Sequence, residues 1–420
     1  MTNSFNNKKL LILGATKSEI EIINMARKMG IYTIATDNHT NWEEAPAKKV
    51  ADEAWDISWS DIEKLKEKCI ENNIDGCIAG FSERRIECAE RLSTVIGKLF
   101  YADDANLDVI CDKLKFKQAC KDANIVVPKE YLYGEKIEYP VIVKPADNGG
   151  SRGITICYSD EELELGYKKA LESSVGGNVL IEEYIVADEI MVYFTVHNSQ
   201  IELSAICDRY MHSFDKNITQ LPIGYYYPSK YLDIFVKYNL EKFKKLIHNL
   251  NIKDGLIAFQ SFIKGNDAIP FDPTYRLDGT MAYHLIEKQN NINVLKMLIE
   301  KSITGKMGND EEISIKETPY FNNPSFELPI LLKNGIISEI IGIEDIKKME
   351  DVIYVYQGHS VGERFDKKAD FSQILCRIQI NVKNDIQLKE DIDKIYSVLK
   401  VYDENGNDMI ISRDVVKIGG

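Results

Sequence analysis

The residues that most need a chemical explanation lie between Lys144 and Glu189. Lys144 closes the apolar run Tyr139-Pro-Val-Ile-Val143 and is followed by Pro145-Ala-Asp-Asn-Gly-Gly-Ser-Arg-Gly-Ile154. A lysine at the end of an apolar strand is costly to bury unless its ammonium meets an anion. The loop after it carries Gly149, Gly150, Ser151, Arg152 and Gly153, and its bare backbone N–H groups suit closure over phosphates. A point charge on one side and an amide-lined flap on the other is a physical recipe for holding a nucleoside triphosphate. No Gly-Lys-Ser/Thr follows the loop, so this is not a Walker A site. Further along comes Leu180-Ile-Glu-Glu-Tyr-Ile185, with Glu189 beyond it. Glu182 is placed to face the exocyclic amine of an adenine. The main-chain N–H of Ile185 suits a ring nitrogen and Glu189 suits ribose hydroxyls, with Glu183 and Tyr184 completing the strand end. Acidic strand ends are common, and a lysine before an ordinary turn is a competing reading. The order of lysine, flap and acidic strand end is what points to a nucleotide.

The elements that must position these residues are legible too. Short apolar runs at Leu10–Leu13, Tyr32–Ala35, Glu53–Ile57 and Gly76–Ala79 alternate with helix-period segments reaching Met29, at Asp61–Asn72 and at Glu83–Ile96. Such alternation predicts a parallel sheet covered on both faces, with ligands at the carboxyl ends of its strands. Gly14–Ser18, Asp37–His39 and Gly80–Glu83 would line that rim. Thr16 and Glu19 stand where a dinucleotide fingerprint needs glycines, so Gly14 reads as a tight strand-to-helix turn. A helix at Asp112–Ala123 opens a second segment, with strands at Tyr139–Lys144, Gly153–Cys157 and Asn178–Glu182. Antiparallel alternation follows at Glu189–His197 and Gln200–Asp208. Then come a long helix, Lys230–Asn249, a hairpin, Gly255–Ile263 with Ala268–Phe271, and a helical region, Thr280–Ile303. A polar stretch, 306–317, marks a boundary. The expected division is 1–110, a parallel α/β domain; 111–310, the nucleotide-binding catalytic domain; and 311–420, a β-rich domain with a helix near Leu388–Leu399.

Composition excludes several classes. The chain has 420 residues, 52 basic and 66 acidic, for a net charge of −14. That balance, without a concentrated basic patch, argues against nucleic acid or an anionic membrane as partner. No apolar stretch approaches the ~20 residues that span a bilayer, and the polar start carries no signal peptide, so a cytoplasmic location is expected. Eight cysteines without a Cys-x-x-Cys pair read as reduced thiols, and six scattered histidines form no metal cluster.

In its order of motifs the chain resembles the ATP-grasp superfamily over most of its length. The family places a Rossmann-like domain first, then a basic residue at an Asp-Lys/Arg helix start, a strand-borne lysine, a glycine-rich flap, an acidic hinge and a metal-binding hairpin. The matching residues are Asp112-Lys113, Lys144, Asn148–Gly153, Glu182–Ile185 with Glu189, and Gln260 through Arg276. The resemblance implies an N-terminal Rossmann-like parallel α/β domain, a central ATP-grasp domain and a C-terminal β-rich domain. It implies that Lys113 and Lys144 bind ATP phosphates, that Glu182–Ile185 reads adenine and that Glu189 holds the ribose. Lys117, one helical turn from Lys113, is the rival for the first role. The layout is most similar to carboxylate–amine ligases, which include amino-acid ligases and purine-pathway synthetases and carboxylases.

The hairpin departs from the family pattern. Asp272 and Arg276 fall in register, but Thr274 stands where asparagine is usual and Gln260 where an acid is usual. The resemblance then implies Mg²⁺ (or Mn²⁺) held by Asp272, Gln260 and Thr274 with one formal charge, arriving mainly with the nucleotide. Asp278 is either a further oxygen or a turn residue. The implied reaction is attack of a substrate carboxylate on the γ-phosphate, then displacement of phosphate from the acyl phosphate by an amine. Asp272 and Arg276 are the expected catalytic residues, a guanidinium matching carboxylate and acyl phosphate alike. The expected partners are a small carboxylate, amino-acid-like, and an amine, with a homodimer left open. One alternative is a phosphoribosylglycinamide-synthetase-like enzyme, for whose phosphate the rim offers Lys17, Arg84 and Arg85. Another is a nucleotide-binding protein with an impaired metal site. Arg209–His212 and Gly224–Pro228 either wall an acceptor pocket or pack internally. Ser82-Glu83 either meets a substrate amine or caps a helix.

Overall fold

In the computed structural model, which describes residues 5–147, 153–212, 221–308, 316–366 and 371–411, the first apolar runs pair in parallel. The flap residues Gly149, Gly150 and Ser151, with Asn148 and Arg152, lie outside the described residues. The N-terminal segment comprises β1 (Lys9–Leu13), α1 (Glu19–Lys28), β2 (Tyr32–Thr36), β3 (Glu53–Trp55), α2 (Ile62–Glu71), β4 (Gly76–Ile78) and α3 (Glu83–Val95). Its sheet runs β3-β2-β1-β4. Leu10 to Leu13 are all buried, which is why the run reads as continuously apolar rather than alternating.

Two short helices follow, α4 (Asp104–Cys111) and α5 (Lys113–Asp122). The sequence reading did not separate α4, whose signal is the capping box between Asp103 and Asn106. Asp112 ends α4 and caps α5, its carboxylate accepting from the Leu114 and Lys115 N–H groups. A small antiparallel sheet is built from β5 (Glu130–Tyr131), β6 (Val141–Pro145), β7 (Thr155–Cys157) and, after α6 (Asp160–Ser173), β8 (Val179–Glu183), in the order β5-β8-β6-β7.

The rest is organised by one large sheet. Its strands are β9 (Asp188–His197), β10 (Gln200–His212), β11 (Leu221–Tyr227) and, after α7 (Leu232–Tyr238) and α8 (Leu240–Asn249), β12 (Gly255–Lys264) and β13 (Asp267–Thr274). Helices α9 (Tyr283–Asn290) and α10 (Val294–Thr304) precede β14 (Ser325–Leu331), β15 (Gly335–Ile341), β16 (Val352–Gln357), β17 (Arg364–Phe365) and β18 (Ile374–Asn381). The described chain closes with α11 (Asp385–Val398) and β19 (Lys400–Asp403). The sheet order is β13-β12-β9-β10-β11-β14-β18-β16, so strands from beyond residue 311 continue the sheet of the middle segment.

The long helix expected at Lys230–Asn249 is two helices. Asn239 breaks it because its amide is used elsewhere: it donates to Asn266 O at 2.8 Å and accepts from Ala268 N at 3.1 Å. The helical region after Thr280 divides at Asn291, which adopts φ 58°. A single apolar core runs from Leu10 and Ile12 through Phe194 and Phe259 to Leu298, joining the N-terminal and middle segments. A second core, from Phe326 to Ile410, lies under the C-terminal strands.

Candidate active site

Lys144 lies at the end of β6, its side chain 11% exposed. The next strand, β8, sets Glu182 opposite Ile142 on one side and opposite Glu130 on the other. Directly paired residues of an antiparallel sheet share a face, so Glu130, Glu182 and Lys144 point the same way. Helix α5 lies over them and buries Phe116, Lys117 and Cys120. Lys117 Nζ is 2.6 Å from Glu182 Oε1 and 2.9 Å from Glu130 Oε1, and Lys144 Nζ is 2.6 Å from Glu182 Oε2. Glu182, expected to face an adenine amine, is thus the bridge between two buried lysines. Burial alone would push its carboxyl up, but Lys144 and Lys117 outweigh it and hold the group below the usual carboxylate range.

Lys113 opens α5, and its backbone N–H donates to Ala146 O at 3.3 Å. That bond ties the helix start to the segment leaving β6. Burial lowers the Lys113 ammonium below its ordinary range, and the like charge of Lys144 lowers it further, while Asp272 opposes both. Asp272 lies on β13, opposite Gln260 of β12, whose amide donates to it at 3.2 Å. Burial raises the Asp272 carboxyl. Lys113 pulls it back most strongly, Lys144 and Arg276 also pull it down, and Glu83 pushes it up. Four charges, from α5, β6, the segment after β13 and α3, therefore act on Asp272. Thr274 sits opposite Ala258, two residues from Asp272 on the same face, and is buried. Arg276 Nε donates to Glu83 Oε1 at 2.8 Å, so the acid expected to meet a substrate amine holds the arginine instead.

The same face of the large sheet carries more polar residues than the sequence reading singled out. A cross-strand row runs Glu189, Arg209, Tyr225, Glu327, Gln379. Glu189, expected at the ribose, pairs with Arg209. Arg377, two residues from Gln379, pairs with Glu327, whose carboxyl burial pushes up to about 8 against the pull of Arg377. The signal that exposed Lys144, an isolated charge inside an apolar strand, also marks Arg377 in Ile374-Leu-Cys-Arg-Ile378 and Glu327 in Phe326-Glu-Leu328.

Other expectations divide. Gly14 adopts φ 101°, a conformation glycine tolerates at the expected strand-to-helix turn. Gly153, just beyond the undescribed flap, has φ 76°. Ser82 stands at the N-cap position of α3, but its hydroxyl makes no capping bond. Asp278 is buried and accepts from Tyr193 at 3.1 Å and Thr280 at 2.8 Å, a turn fastened to the sheet. The aromatic segments Arg209–His212 and Gly224–Pro228 lie largely in strands, with Tyr225 and Tyr227 buried in β11 and Tyr227 stacked on Phe321. Glu183 accepts from the Lys129 N–H, the Tyr184 N–H donates to Pro140 O, and Ile185 is buried at the hinge. The cysteines are free thiols, and among the described residues no three His, Cys, Asp or Glu side chains form a metal-holding cluster. Among the described residues no helix is long and apolar enough to cross a membrane.

Comparison with known proteins places this arrangement. The family described as D-ala D-ala ligase C-terminus matches residues 116–253. A formate-dependent phosphoribosylglycinamide formyltransferase of Prochlorococcus marinus is 25% identical over 305 residues, covering 70% of this chain and 75% of that protein. The L-amino acid ligase of Bacillus licheniformis superposes with a TM-score of 0.78 at 15% identity, over 96% of this chain and all (100%) of that one. Phosphoribosylglycinamide synthetase from Anaerococcus prevotii gives a TM-score of 0.73 at 20% identity, over 94% and 100% of the two chains. The fold is the ATP-grasp fold. The family match and these relatives make the chain similar to ATP-grasp carboxylate–amine ligases, ATP-dependent enzymes that form C–N bonds.

Proposed function

We propose that the chain joins a small, amino-acid-like carboxylate to an amine through an acyl phosphate formed at the expense of ATP. The observation that supports this most is the convergence of Lys113, Lys144 and Arg276 on the half-buried Asp272. Phosphoryl transfer asks little covalent work of a protein; it needs charges placed around the transferring group. In this reading Lys113 and Lys144 take the phosphate oxygens and the flap 148–153 covers them. Ile185 and its neighbours meet the base. Arg276, fixed in orientation by Glu83, holds the substrate carboxylate and the acyl phosphate.

Asp272 offers carboxylate oxygens of the kind Mg²⁺ takes, with Mn²⁺ as a substitute; the Gln260 amide, whose nitrogen donates to Asp272 here, would supply its oxygen once turned over, and Thr274 lies two residues along the strand. With one carboxylate the set suits a metal carried in by nucleotide phosphates. When bound, that ion would neutralise charge on the transferring phosphoryl group.

A second reading, an acceptor bearing a phosphoribosyl group, draws support from the purine-type relatives. Two of its three rim cations are engaged within the chain: Lys17 bonds Ser360 at 2.8 Å, and Arg85 is paired with the buried Glu19. The test is ADP release over amino acids, singly and in pairs, alongside phosphoribosylglycinamide with formate. Turnover should require a carboxylate and an amine together, and Asp272→Asn should lower it at least about a hundredfold. Turnover with phosphoribosylglycinamide and formate alone would establish the second reading, and an unaffected Asp272→Asn variant would remove Asp272 from the site.

A further inference from the structure

The mechanism above gives no task to Lys117, a buried cation that shares an acid with Lys144. We propose that Lys117 is a positioning residue, sharing Glu182 with Lys144 so that Lys144 can turn to nucleotide phosphates while Glu182 keeps a counter-charge. The idea rests on the nucleotide-binding reading of the site.

The geometry carries it. Glu182 has two oxygens and each is held by a different lysine, both at 2.6 Å. Lys117 and Glu182 are nearly sealed from solvent, with side-chain exposures of 6% and 4%. If Lys144 were the sole partner of Glu182, its departure would strand a buried carboxylate, and that cost would hold the lysine on the acid. The second lysine removes this penalty. Lys117 also meets Glu130, which β5 sets directly opposite Glu182, so it separates two facing acids that would otherwise repel. Lys113, at the helix start, feels Asp272 and Lys144, whereas Lys117 lies one turn deeper on Glu182. The two lysines of α5 thus divide the work: one for the nucleotide, one for the acid behind it.

The test is calorimetric titration of the full chain with ATP and Mg²⁺. Lys117→Met should weaken binding at least about tenfold, while Lys117→Arg, which keeps the charge, stays within about threefold of wild type. In a Glu182→Gln background the acid needing neutralisation is gone, so adding Lys117→Met should change affinity less than about twofold relative to Glu182→Gln alone. If Lys117→Met alone fails to fold, that second pair decides. Wild-type affinity in Lys117→Met, or an undiminished loss in the Glu182→Gln background, overturns the role. A wild-type chain that does not bind ATP overturns the proposed function itself, which separates the two failures.

Discussion

Buried acids in this protein face opposing demands, and their partners decide the outcome. Glu182 is held ionised because two lysines outweigh its burial. Among the described residues Glu317 meets hydroxyls rather than a cation, Thr195 at 3.2 Å among them, and burial pushes its carboxyl from 4.5 up to about 7. The linkage sign follows. Between about pH 4.5 and 7 the folded chain keeps a proton that the unfolded chain has released, so stability falls as pH rises through that window. Glu317→Gln stays neutral throughout. It should match wild type near pH 5 and exceed it by roughly 3 kcal/mol near pH 8, at about 1.36 kcal/mol per pKa unit. Urea titrations at the two pH values check this; an equal gap at both would mean that Glu317 does not titrate there.

At the scale of elements, the hairpin β12–β13 matters because it sets Asp272 beside Gln260. Asn239, in the break between α7 and α8, fastens that hairpin through two hydrogen bonds at its turn. Asn239→Ala would leave the buried Ala268 N–H without its partner and should cost about 2–3 kcal/mol, read as a lowered urea midpoint. The helix period across Lys230–Asn249 was legible, but the break was not, since both partners of Asn239, Asn266 and Ala268, lie at a hairpin distant in sequence. Strands were read well where apolar runs were bounded by turns, as at Tyr139–Lys144 and Gly255–Ile263. The short helix α4 was missed because its two buried apolar residues, Leu107 and Ile110, make too brief a period.

At the scale of the molecule, the N-terminal and middle segments are locked by close packing. Gly76 of β4 lies against α10, where an added Cβ would overlap the Ser302 carbonyl. Gly76→Ala should force the helix off the sheet and cost about 1–3 kcal/mol, seen as a lowered thermal midpoint without change in the large sheet's spectrum. The C-terminal strands β14, β18 and β16 extend the middle segment's sheet, and a second core from Phe326 onward packs against them. The sequence alone determined the class of chemistry, because an isolated lysine closing an apolar strand, a glycine-rich loop and an acidic strand end are local facts with local costs. It also showed that these charges must have partners. Which partner each one takes was decided only by the tertiary structure. Lys117 and Glu182 are 65 residues apart, and Arg377 and Glu327 are 50, and such pairings follow from strand register and from a helix laid across a sheet. No spacing along the chain encodes those two things.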